Sequence, residues 1–277
     1  MIFPEDSGNI LTGELAWTSR TIPSGNYYNG IAWNGSLFVA VGLNVCATSP
    51  DGITWTSRTI PSGTYYAITW NGSLLVAVGF GVCSTSPDGI TWTSRTIPSG
   101  NYYNGIAWNG SLFVAVGSNI CSTSPDGITW TSRTPPSADY YNGIAWNGSL
   151  FVAVGLNVCA TSPDGITWTS RTIPSGSYHA ITWDGSLLVA VGSNVCSTSP
   201  DGITWTSRTI PSGNHYAIAW NGSLFVAVGV NVCSTSLDGI TWTSRTIPSG
   251  TYHAITWNGS LFVAVGLDSV CITSPAN

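Results

Sequence analysis

Lysine is absent from this chain of 277 residues, methionine occurs once, and glutamate occurs only at Glu5 and Glu14. Charged residues make up 7% of the chain, against about 25% in an ordinary soluble domain. The net charge is −5 and every positive charge is an arginine, so there is no basic footprint for a nucleic-acid backbone or an anionic membrane surface. Long apolar runs are missing as well. Leu37 to Val41 is a run of five, far short of the ~20 residues that span a bilayer. The opening Met1-Ile2-Phe3-Pro4-Glu5-Asp6 has neither the basic nor the apolar region of a secretory signal, which sets the expectation of a cytoplasmic protein. Helical periodicity and helix caps are absent too. Disorder is excluded, because aromatic residues reach 12% and β-branched residues are abundant.

What is present is repetition. Trp-Thr-Ser-Arg begins at Trp17, Trp55, Trp92, Trp130, Trp168, Trp205 and Trp242, a period of 37 or 38 residues. A second tryptophan series falls at Trp33, Trp70, Trp108, Trp146, Trp183, Trp220 and Trp257. Seven copies account for all 14 Trp, all 7 Cys and all 7 Arg.

One copy reads as four strands. Gly30 to Trp33 is short and apolar, and Asn34-Gly35 predicts a two-residue hairpin turn. Ser36 to Gly42 is apolar on both faces and therefore expects cover on both. After the Gly42-Leu43-Asn44 turn, Val45 to Thr48 forms the third strand. Ser49-Pro50-Asp51-Gly52 is a further turn, and Ile53 to Thr59 is the fourth strand. Four-stranded units repeated radially make a β-propeller, here all-β with seven blades of four antiparallel strands. The chain ends support a ring. Leu15 to Thr21 lacks its three preceding strands, and the last copy, 254–273, lacks its fourth. Residues 15–21 are therefore expected to complete the last blade, with 1–14 as a lead-in and 1–277 as one domain.

The turn Ser49-Pro50-Asp51-Gly52-Ile53-Thr54-Trp55 resembles the Asp-box of sialidase-type propellers, the bacterial neuraminidase repeat. It recurs at 86–92, 124–130, 162–168 and 199–205, and at 236–242 with Leu237 in place of proline. Each copy is one residue short between Asp and Gly. The resemblance implies a turn between third and fourth strands, remote from any active site, so it assigns no catalytic residue. It also implies what sialidase-type hydrolysis needs: an arginine triad, a tyrosine nucleophile with its glutamate, and an acidic aspartate. The two glutamates precede the first complete blade, and the arginines fall one per blade. Near-identical blades offer no differently tuned environments. The expectation is a non-enzymatic chain without cofactors.

The seven cysteines (Cys46, Cys83, Cys121, Cys159, Cys196, Cys233, Cys271) share one strand position, and sheets packed ~10 Å apart cannot bridge them. They read as buried packing residues in a reducing compartment. His179, His215 and His253 lie on different blades, so no metal site is expected. The six Asn-Gly-Ser triplets match the glycosylation sequon, but turn chemistry accounts for them.

Strand parity places the Asn-Gly and Ser-Pro-Asp-Gly turns on one face of the ring. The Gly-x-Asn turns and the interblade loops lie on the other. Differences between copies gather on that second face, at Leu43, Phe80, Ser118, Leu156, Ser193, Val230 and Leu267, and in the loops. Three loops read as carrying a one-residue insertion, at Asn29-Gly30, Asn104-Gly105 and Asn142-Gly143. An aromatic pair recurs as Tyr27-Tyr28, Tyr65-Tyr66, Tyr102-Tyr103, Tyr140-Tyr141, Tyr178-His179, His215-Tyr216 and Tyr252-His253. These pairs are the candidate ligand-binding residues. Tyrosine rings with neutral amides and hydroxyls suit neutral glycans, and up to seven interblade sites would act by avidity. The expected function is a multivalent, lectin-like propeller acting as a monomer. A protein-interaction scaffold is the alternative, as is a recently amplified or engineered propeller with no settled ligand, since 49–63, 86–100, 162–176 and 199–213 are identical.

Overall fold

Each copy forms an antiparallel four-stranded meander. The computed structural model describes residues 15–23, 27–98, 102–135 and 140–275. Blade 1 consists of Tyr28–Trp33, Phe38–Gly42, Cys46–Ser49 and Thr56–Arg58. Its second strand is buried on both faces, with Phe38, Val39, Ala40 and Val41 all at 0% exposure. This is why both sets of alternating side chains are apolar. The fourth strand, Thr56–Arg58, is the exposed edge, and it is short and polar. Brevity and charge at such an edge discourage pairing with other chains.

Six further sheets repeat this order. The inner strand of blade 1 packs against Tyr65–Trp70 of blade 2 on one side and Tyr252–Trp257 of blade 7 on the other, so the circle closes. In blade 7 the missing fourth strand is supplied by Thr18–Thr21, which pairs with Val270–Pro275 from Thr18↔Thr273 to Thr21↔Val270. The seven-bladed ring closed by its own N-terminal strand is thus the observed fold. Residues 1–14, read as a lead-in, lie outside the described residues.

The core sits between blades. Val39, Val41, Cys46, Tyr65, Leu75 and Ala77 form one of seven interblade clusters, with Trp92 packed against it. Cys46 lies against Trp92 of the next blade, and burial pushes its thiol up to about 12. Across the ring closure the same contact joins Cys233 to Trp17 and Cys271 to Trp55. All seven thiols are free and buried, so they pack and do not ionise near neutral pH.

Two local expectations need correction. Asn34-Gly35 is not a two-residue hairpin. Trp33 pairs with Phe38, which leaves a four-residue loop. Asn34 Oδ1 accepts from the Ser36 and Leu37 amides at 3.0 and 2.7 Å, and of the two turn residues only Gly35 takes positive φ. The side chain caps the turn in place of a tight backbone bend. The fourth strand also begins later than Ile53. Asp51 Oδ1 accepts from Ser49 Oγ and from the Ile53 and Thr54 amides, and this holds 49–54 as one turn. Those bonds hold the Asp51 carboxyl below the usual range. Trp55 Nε1 then donates to the Gly52 carbonyl at 3.0 Å.

Candidate functional site

Every one of the six inner-strand pairings from blade 1 to blade 6, and that of blade 7, contains a bulge one residue after the buried aromatic. In blade 1 Tyr28 pairs with Gly42 and Gly30 with Val41, which leaves Asn29 without a partner in the ladder. A bulge re-aims the side chain of its extra residue. The seven bulge residues are Asn29, Tyr66, Asn104, Asn142, His179, Tyr216 and His253. Together with the two residues that follow each of them, they line one cavity of about 180 Å³ on the ring axis. It opens towards the variable face, because the bulge lies at the loop end of each inner strand.

This cavity has two unlike walls. On blades 5 to 7 the rings of His179, Tyr216 and His253 pack in sequence. His179 meets Tyr216 edge-on at 5.1 Å, and Tyr216 stacks on His253 at 5.3 Å and 7°. Burial lowers the pKa of both histidines below the ordinary imidazole value, so both rings are neutral at pH 7. His179 Nε2 is bound to Ser193 Oγ at 3.0 Å. On blades 1, 3 and 4 the wall is amide. Asn29, Asn104 and Asn142 each donate their side-chain nitrogen to the carbonyl of the next blade's buried aromatic, Tyr65, Tyr141 and Tyr178, at 2.9–3.1 Å. The same three asparagines are part of the cavity lining. Tyr66 of blade 2 interrupts this wall, its phenol raised above the usual range by burial and by neighbouring Tyr102. Among the described residues no cluster of His, Cys, Asp or Glu could hold a metal ion.

The fourteen aromatic and imidazole residues predicted as ligand contacts therefore separate into two groups. Tyr28, Tyr65, Tyr103, Tyr141, Tyr178, His215 and Tyr252 are buried to 2% or less and sit in the interblade core. Tyr65 donates to the Pro61 carbonyl at 2.9 Å and shares a 2.7 Å bond with Ser84 Oγ. These seven are corrected to structural residues, since burial leaves no ring face for a ligand. Tyr66, His179, Tyr216 and His253 reach the cavity; Tyr102 stands half-exposed on its rim beside Tyr66, and Tyr27 and Tyr140 are half-exposed outside the lining. The position of the extra residue is corrected too. Gly30 pairs as Ala67 does, so the three longer loops carry their additional residue before the buried tyrosine. Asn29, Asn104 and Asn142 were overlooked for this reason. Counting four residues back from the second tryptophan of each copy places all seven bulge residues in register.

No protein-family model and no curated protein matches the chain. Solved structures do. A catalytically inactive histidine-to-alanine variant of virginiamycin B lyase from Staphylococcus aureus, in complex with quinupristin, aligns with a TM-score of 0.83 at 14% identity over 95% of this chain and 99% of that one. YCF48 from Cyanidioschyzon merolae aligns at 0.71 with 16% identity, covering 94% and 98% of the two chains. YCF48 bound to D1 peptide aligns at 0.72 with 17% identity over 94% and 95%. At these identities the likeness is one of fold, and the fold serves as a scaffold for different functions. The expectation that this chain is no enzyme is corrected by the first of these: a lyase is built on the same ring. Scarce glutamate and dispersed arginine argue against sialidase-type hydrolysis alone, and a neutral imidazole at the channel needs neither. Among the described residues no helix is long and apolar enough to cross a membrane.

Proposed function

We propose that the protein is a ligand-binding propeller whose site is the mouth of the central channel, and whose ligand is a neutral saccharide. The observation that supports this most is the bulge ring. Blades that are otherwise nearly identical differ in chemistry at this position, as Asn, Tyr or His, and those differences converge on one cavity. The aromatic wall offers ring faces to the apolar C–H side of a sugar. The three asparagines add neutral amide groups to the lining. No charged side chain lines the cavity, which fits a neutral ligand. The lectin-like reading thus rests on one composite site in place of seven repeated ones. The Asp-box kinship of the 49–54 turn and its copies, and a reducing compartment for seven free buried thiols, belong to the same proposal.

Calorimetric titration of a neutral saccharide panel tests it. Tyr216→Ala is expected to weaken binding several-fold, up to about tenfold, as loss of one stacking ring costs about 0.5–1.5 kcal/mol. Tyr140→Ala, outside the cavity lining, leaves it unchanged. Equal loss in both variants, or no binding by the unmodified protein, would sink the reading.

One observation favours a second reading, proton-transfer chemistry at this site. His179 and His253 are neutral at pH 7 and can accept a proton, and in the similar lyase a single histidine-to-alanine change gives a catalytically inactive protein. Recovery of the titrated saccharide unaltered after long incubation would remove that reading.

A further inference from the structure

At the junction of blades 2 and 3 the turn tip is aromatic, unlike its six counterparts. Blade 2 carries Phe80 at the tip of the turn where other blades carry Leu, Val or Ser, and Gly81 follows where asparagine is usual. Gly81 has φ +60 with open space around it, so the tip keeps the repeat's backbone while shedding a polar side chain. Phe80 forms a backbone bridge to Tyr102, and their rings lie 4.8 Å apart at 34°. Tyr102 in turn lies 5.8 Å from Tyr66, which lines the channel cavity. Three rings thus run outward from the cavity without a break. The outer two keep broad solvent-facing surfaces, with Tyr102 at 45% and Phe80 at 52% exposure. At the other six interblade junctions, no described pair of rings joins the turn tip to the rim.

We infer that Tyr66, Tyr102 and Phe80 form an extended subsite that holds the further units of a neutral oligosaccharide whose first unit occupies the channel mouth. This rests on the saccharide reading of the channel given above. The three rings supply successive apolar faces, and the two tyrosines add hydroxyls along the same path. Two backbone groups at this junction are already paired. The Phe80 amide donates to the Thr64 carbonyl at 2.9 Å, and the Tyr102 carbonyl accepts from the Ser118 amide at 3.0 Å. A peptide adding as a strand would need such groups unpaired. Ring faces and hydroxyls, which a sugar chain uses, are what the path presents. Each arginine lies on the fourth strand of its blade, and Phe80, Tyr102 and Tyr66 are themselves uncharged side chains.

The test is a chain-length series of neutral oligosaccharides, from one to six units, titrated against the full chain and two variants. Phe80→Leu restores the residue found at the equivalent turn of blades 1, 4 and 7, so it keeps the fold. The unmodified protein is expected to bind trisaccharides at least tenfold more tightly than monosaccharides. Phe80→Leu erases most of that gain and leaves the monosaccharide affinity within twofold. Tyr216→Ala weakens every chain length alike. Affinity independent of chain length, or a chain-length gain that Phe80→Leu leaves intact, overturns the extended subsite while the channel site stands. Failure of all saccharides to bind overturns both. Binding of aromatic-rich peptides through Phe80 with no saccharide binding replaces the proposal with a peptide site.

Discussion

His215 shows how much a single side chain can be asked to substitute. Its six counterparts are tyrosines, and five of them donate their hydroxyl to a proline carbonyl in the preceding loop. His215 is equally buried, at 0%. It reaches Ser234 Oγ through Nε2 at 3.0 Å, while Nδ1 has no hydrogen-bond partner. Burial lowers its pKa to about 4. The unfolded chain binds this proton near pH 6.5 and the folded chain does not until about pH 4. The resulting stability is complete above pH 6.5 and is lost as pH falls towards 4, by up to about 3 kcal/mol. Burial of His179 and His253 acts in the same direction. His215→Tyr is expected to restore the repeat's hydrogen bonds, raise stability by about 1 kcal/mol at pH 7, and flatten the decline below pH 6. Denaturant midpoints at pH 7 and pH 5 read both effects, and an unchanged pH dependence would refute this assignment. Which member of each aromatic pair is buried was not legible in the sequence. Tyr27-Tyr28 and Tyr65-Tyr66 look alike, yet the buried ring is the second in one and the first in the other. The distance to the following tryptophan, and not the pair itself, decides.

At the level of the element, the inner hairpin depends on a glycine whose φ is ordinary. A Cβ on Gly42 would lie 1.6 Å from the Tyr27 carbonyl oxygen, and the equivalents Gly79 and Gly117 meet the same obstacle at 1.8 and 1.6 Å. That carbonyl accepts from the Leu43 amide at 3.1 Å, which pins the start of the inner strand and hence the bulge that follows. Gly42→Ala is expected to cost about 3 kcal/mol, because rigid backbone must move. Gly35→Ala, at φ +95 in open space, carries only the conformational cost of about 1 kcal/mol. Equal midpoints for the two variants in urea would show that close approach is not the constraint. Strand number, order and the double-sided burial of Phe38–Gly42 followed from the residues directly. The turns were harder, since Asn34 and Asp51 act through their side-chain oxygens. A dipeptide signature does not reveal whether the backbone or the side chain closes a turn. The bulge was not legible from residue type, because its extra residue is Asn in three copies and aromatic in four.

Across the whole molecule, ring closure was legible because the phase of the two chain ends is complementary: one fourth strand without a blade, one blade without a fourth strand. The convergence of unlike residues was not. Three-dimensional closure brings Asn29, Tyr66, Asn104, Asn142, His179, Tyr216 and His253 to one cavity, although they are spread over more than two hundred residues of chain. Near-sevenfold symmetry suggested seven weak sites. Tyr28 and its equivalents are buried, and among the described residues the axis brings bulge residues of both kinds to one cavity. Stoichiometry separates the two arrangements without any substitution. Calorimetric titration of the tightest-binding neutral saccharide into the purified full chain is expected to give one equivalent per chain. A value near seven, or saturation that never occurs, would contradict a single site at the channel mouth.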